Sequence, residues 1–75
     1  MNNEMVLAEN DLTIQRLKRE VRLHPSNSKA HYNLGLNYSL MDYDKKALDE
    51  LLQAIKLDDN PSEAYFALGL LLGKR

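Results

Sequence analysis

Few side chains in this 75-residue chain could do chemistry, and their spacing limits what that chemistry is. The two histidines, His24 and His31, stand seven residues apart, and His24 precedes a proline. A metal site would need carboxylates converging on both, but no HExxH or comparable spacing occurs. They read instead as a turn residue and a half-buried packing residue. Asp42, Asp44, Asp58 and Asp59 lack the ligand spacing and central glycine of a calcium loop, and read as helix-capping and turn-forming acids. Cysteine is absent, which removes disulfides, thiolate nucleophiles and thiolate metal sites. Gly35, Gly69 and Gly73 each lie in a helical pattern rather than after a strand, so they form no phosphate-cradling loop. No Ser/His/Asp set has the spacing of a nucleophile and its base. The expectation is a chain with no catalytic, cofactor or metal residues.

Charge narrows the remaining classes. Arg16, Lys18, Arg19 and Arg22 share one stretch, "RLKREVR", but Glu20 interrupts it and no aromatics accompany it for base stacking. Basic residues toward a helix C-terminus suit the macrodipole and are usually solvated. Ten basic and eleven acidic residues leave a net charge of −1, with no bulk attraction to nucleic acid or anionic lipid. The opening "MNNEMVLAEN" has no basic region and four apolar residues in a row, unlike a secretory signal. The longest apolar run, Ala64 to Gly73, has ten residues, against about 20 needed to span a bilayer. No membrane insertion is expected, and a cytoplasmic location is the default.

The elements that must position these residues are helices. A hydrophobic fraction of 44% with 28% charge is ordinary for a globular chain and argues against disorder. Pro25 and Pro61 divide the sequence, and no strand-like alternation appears between them. Ile14, Leu17 and Val21 recur at three and four residues within Asp11–Leu23. His31, Leu34, Tyr38 and Met41 do so after Ser28, which can act as an N-cap. Asp44 is expected to cap a third helix running to about Leu57, with Ala47, Leu48, Leu51, Ala54 and Ile55 on one face. "DDNPS" breaks it, and Ser62 opens a fourth. Four helices joined by such short turns pack antiparallel, giving an all-α fold.

The chain also repeats itself. "SKAHYNLGLNY" from Ser28 returns 34 residues later as "SEAYFALGLLL" from Ser62, with five of the eleven paired positions identical. A 34-residue period holding one helix–turn–helix marks a solenoid class, and the chain resembles the tetratricopeptide repeat family. His31, Leu34-Gly35 and Tyr38 match the family's first-helix pattern, and Ala47, Leu51 and Ala54 its second. Gly35 and Ala47 are small because two helix backbones must approach closely where they cross.

A flexible N-terminal segment is expected over 1–10, and the resemblance, which covers about residues 11–75, implies the second helix of a preceding half repeat over 11–25, a complete repeat over 28–61 and the first helix of a truncated repeat over 62–75. In 11–25, Thr13, Leu17 and Val21 fall in register. Three departures stand out: His31 in place of a larger aromatic, Glu20 in place of a small residue, and an ending, "LLGKR", that stops before a partner helix begins.

In stacked repeats the first helices line a concave groove. The carried-over stripe is Lys29, Tyr32, Asn33 and Leu36 on one helix, and Glu63, Phe66, Ala67 and Leu70 on the next. Asn33 matches an asparagine by which family members hold a ligand backbone, and an amide can both donate and accept. Tyr32 and Phe66 serve either as apolar anchors or as covers for helix seams. Lys29 alone cannot reproduce the family's lysine and arginine clamp for chaperone tails, so an apolar or mixed partner segment is favoured.

The unfinished end leaves Tyr65, Leu68, Gly69, Leu71 and Leu72 as a bare packing face. A homodimer through this C-terminal helix, or burial against Met5–Ala8 of a second chain, would cover it. The expected function is a non-catalytic module binding a partner protein or peptide. Self-assembly, or service as a non-catalytic repeat fragment of a larger protein or enzyme, is the alternative.

Overall fold

The structure is a computed structural model that describes residues 11–74; Met5–Ala8 and the rest of 1–10 lie outside the described residues. Four helices follow one another: α1 (Leu12–Leu23), α2 (Ser28–Leu40), α3 (Asp44–Leu57) and α4 (Ser62–Gly73). The described residues contain no strand. Each helix packs on the next, and α2 also touches α4 across α3.

Capping sets the helix starts, and two caps differ from the expectation. Asp11 caps α1, its Oδ1 accepting from the Thr13 backbone N–H at 2.6 Å. Asn27, rather than Ser28, caps α2, accepting from Lys29 at 2.9 Å and Ala30 at 3.3 Å. An asparagine there satisfies two of the helix's orphan donors, which is why the boundary moves one residue upstream. At α3 the cap position is Tyr43, which makes no side-chain cap bond, and Asp44 is already helical. Its carboxylate sits in the first turn, where the macrodipole favours it.

The turn between α2 and α3 is a Schellman closure. The Tyr43 N–H reaches the Tyr38 carbonyl at 2.9 Å, and the Asp42 N–H reaches Ser39 at 3.0 Å. Asp42 takes φ 64, a left-handed conformation that aspartate tolerates better than most residues.

The core consists of Ile14, Leu34, Tyr38, Ala47, Leu51, Ala67 and Leu71. Its tightest point is the α2–α3 crossing. A Cβ at Gly35 would lie 2.9 Å from Leu51 Cγ and 3.2 Å from Glu50 Cβ, so only glycine lets the helices meet this closely. Among the described residues, no helix is long and apolar enough to cross a membrane.

Candidate functional site

The repeat places equivalent side chains of α2 and α4 at one edge of the helix layer. Lys29, on the first turn of α2, forms an ion pair with Glu63 on the first turn of α4 at 2.9 Å. Its ammonium also lies 5.3 Å from the centre of the Tyr32 ring. The neighbouring carboxylate raises the Lys29 ammonium above the usual lysine value. Lys29, Tyr32 and Glu63 border a cleft of about 100 Å³, together with Ser28, Ala54, Asp58 and Ala64.

Along α4, Phe66 (70% exposed) and Leu70 (57%) stand four residues apart on one face, open to solvent. Their counterparts on α2, Tyr32 and Leu36, are half-buried and rest against the core. Asn33 is half-buried, and its backbone carbonyl accepts from the Asn37 amide at 2.9 Å. Among the described residues its own side-chain amide has no hydrogen-bond partner.

Ala67 does not join this stripe. It is buried in the core with Ala64 and Leu71, on the side of α4 that meets α3. Leu71 leaves the bare face for the same reason. A helix turns about 100° per residue, which swings Leu71 into the α3 contact between the exposed Leu70 and Leu72. Tyr65 and Leu72 remain exposed, and Leu68 is half-buried against the core.

Two polar arrangements carry no sequence signal that reading by residue type would find. His31 is buried, with Nδ1 2.7 Å from Glu50 Oε1 and Nε2 2.8 Å from the Pro25 carbonyl. A carbonyl only accepts, so Nε2 donates there, which turns Nδ1 toward the Glu50 carboxylate. The ring is a polar pin joining the turn after α1 to α2 and α3, buried more deeply than its expected packing role.

Lys74, just past α4, reaches back to the α2–α3 turn. Its ammonium lies 2.9 Å from Asp42 and 3.0 Å from Asp44, and donates to the Ser39 carbonyl at 2.8 Å. These carboxylates raise its proton affinity above the usual lysine value. Asp42 and Asp44 thus act as a dock for the end of α4. Arg16, Lys18, Arg19 and Arg22 are all exposed on α1. Among the described residues no three His, Asp or Glu side chains converge as metal ligands would.

A family model described as "Tetratricopeptide repeat" matches residues 7–66. A Drosophila melanogaster protein described as "BBSome complex member BBS4 homolog" is 38% identical over 63 residues, which are 84% of this chain and 13% of that protein. The chain therefore spans about an eighth of that relative's length. No solved structure gives a significant match.

Proposed function

The chain belongs to the tetratricopeptide repeat family, and from that premise we propose that it is a non-catalytic module that holds an apolar or mixed segment of a partner protein across α2 and α4. The observation carrying this reading is the exposure of Phe66 and Leu70 beside the half-open Tyr32 and Leu36, at equivalent positions of two repeat helices. Rigid rings and leucines offer large contact area at low entropic cost. The Asn33 amide, which has no hydrogen-bond partner among the described residues, offers a donor and an acceptor for the segment's backbone. The Lys29–Glu63 pair closes one end of the groove and ties its two walls together.

The Drosophila relative is by its description a member of a protein complex, and the likeness favours a role inside a multi-protein assembly. A cytoplasmic setting fits that role. Affinity capture on the wild-type chain, compared with a Tyr32→Ala/Phe66→Ala variant of matched helicity, tests the groove. Partners lost from the variant, and binding of their isolated segments reduced in titration, support it. Unchanged retention refutes it.

Self-assembly without a separate ligand is the second reading, favoured by the exposure of Tyr65 and Leu72. Sedimentation equilibrium over a hundredfold concentration range separates the two. A dimer dissolved by Leu68→Gln/Leu72→Gln supports self-assembly, and a monomer throughout removes it.

A further inference from the structure

Positive charge is concentrated on α1, and the fold sets part of it over an apolar cleft. α1 holds four cations and one acid, whereas the rest of the chain holds six cations and ten acids. None of the four is paired, because the ion pairs among the described residues use Lys29, His31 and Lys74. The macrodipole accounts for Arg22, in the last turn of α1, but not for Lys18 one turn earlier.

Lys18 and Arg22 stand four residues apart on one face of α1. With Val21 they form one wall of a cleft of about 240 Å³. The buried Leu34 and Tyr38 of α2 lie at its floor, and Glu50 of α3 forms the opposite wall. The lining thus comes entirely from α1, α2 and α3. Glu50 is the one acid in it, and His31 already holds that carboxylate at 2.7 Å. Lys46 brings a third cation to the floor ring, 5.6 Å from the centre of Tyr38 and 5.5 Å from that of Tyr43. It is held by rings rather than by a carboxylate. We propose that this cleft docks an acidic segment of a partner protein, one large apolar side chain lying between the stems of Lys18 and Arg22 and its flanking carboxylates meeting their charged heads.

The methylene stems of lysine and arginine give apolar contact while their heads stay in water. A carboxylate reaching those heads beside Val21 and Tyr38 does so next to a low-dielectric surface, where attraction is stronger than in open water. Glu50 sets the orientation. It repels an acid placed against α3, so the segment's carboxylates must face α1. Nucleic acid fits less well, because the Tyr38 ring is buried and offers no face for base stacking. The cleft shares no residue with the groove of α2 and α4 and lies outside that reading.

The test uses the full 75-residue chain and, as probe, the synthetic peptide Asp-Glu-Leu-Phe-Asp-Glu with blocked ends. Titration is followed by the amide shifts of Lys18, Val21 and Arg22. Saturable binding should weaken about tenfold or more in Lys18→Gln/Arg22→Gln. It should weaken as much when the peptide's Leu-Phe becomes Ser-Ser, or when its acids become amides. Arg16→Gln/Arg19→Gln removes the same charge from exposed positions of α1 outside the cleft. That change should cost only about threefold. Circular dichroism checks that both variants keep their helicity. Equal losses in the two variants would mean diffuse attraction to α1 and overturn the proposal. So would the absence of binding up to about 1 mM peptide. Binding that vanishes instead in Tyr32→Ala/Phe66→Ala would move the peptide to the groove, and overturns it too. Tighter binding of a duplex oligonucleotide or of phosphatidylserine vesicles, lost in Lys18→Gln/Arg22→Gln, would assign the two cations to phosphate and refute the peptide reading.

Discussion

Gly35 and Gly69 occupy one position in two copies of the same helix, so the same substitution in each isolates a single packing effect. Alanine is favoured over glycine in a helix interior by about 1 kcal/mol at either site. At Gly69 the new methyl meets nothing within 4 Å, so Gly69→Ala keeps that whole gain. At Gly35 it would lie 2.9 and 3.0 Å from two carbons of Leu51 and 3.2 Å from Glu50 Cβ. Leu51 is fully buried, and the Glu50 carbon sits next to backbone, so neither can yield without moving α3. Overpacking of this kind costs about 1–3 kcal/mol. Gly35→Ala should therefore fall from near neutral to about 2 kcal/mol destabilised. Because the propensity gain is common to both, the two variants should differ by about 1–3 kcal/mol. Urea titration followed by helical circular dichroism measures the difference. Thermal melts report it at about 4–8 °C per kcal/mol for a domain of this size. Equal stabilisation by both substitutions would refute the close α2–α3 crossing and leave helix propensity as the only effect.

Leu51→Ala should cost about 2–5 kcal/mol, enough to unfold much of so small a chain, whereas Leu72→Ala should barely move the melting curve. Glu50→Ala should cost about 1–3 kcal/mol, because the buried His31 Nδ1 loses its partner. Breaking the exposed Lys29–Glu63 pair should matter far less and fade with salt, as double-mutant cycles at two ionic strengths would show. Burial raises the Tyr38 hydroxyl above its ordinary 10.0, so the folded state keeps a proton that the unfolded chain releases first. Its contribution is complete below that value and is lost as pH climbs through the higher folded one. Thermal stability should therefore decline at alkaline pH, and Tyr38→Phe should flatten that decline.

Periodicity made the four helices legible, and the 34-residue duplication made the helix pairing legible through Leu34, Gly35 and Leu51. The caps were less so. Ser28 and Asp44 are good capping residues by type, but Asn27 and Tyr43 take those places because the chain enters each helix one residue earlier. Ala67 and Leu71 show a second limit. The repeat says which residues share a stripe, but α4 meets α3 on one side only, and that side is decided by a neighbour rather than by residue type. His31 and Lys74 show a third. Their partners lie 19 residues away at Glu50 and 30 at Asp44, and nothing local to a histidine or a terminal lysine announces such contacts.

The way α4 is held links these features to function. Its buried anchors are Ala64, Ala67 and Leu71, and only one of these is large. An alanine buries far less apolar area than a leucine, so this contact contributes less than the α2–α3 crossing. Polar contacts at both ends make up part of the difference: Glu63 to Lys29 at the start, and Lys74 to Asp42, Asp44 and Ser39 beyond the end. Ion pairs as exposed as Glu63–Lys29 weaken in salt. The helix offering the most apolar surface to a partner is thus also fastened less by burial than α2 and α3. A ligand that binds only the folded helix stabilises it by mass action. The amides of α4 should accordingly exchange with solvent faster than those of α2 and α3 in the free chain, and faster still at high salt. A segment bound in the groove should slow them toward the α2 rates. Uniform exchange across all four helices would mean that α4 is fastened as firmly as the rest, and that partner binding draws on a surface already rigid.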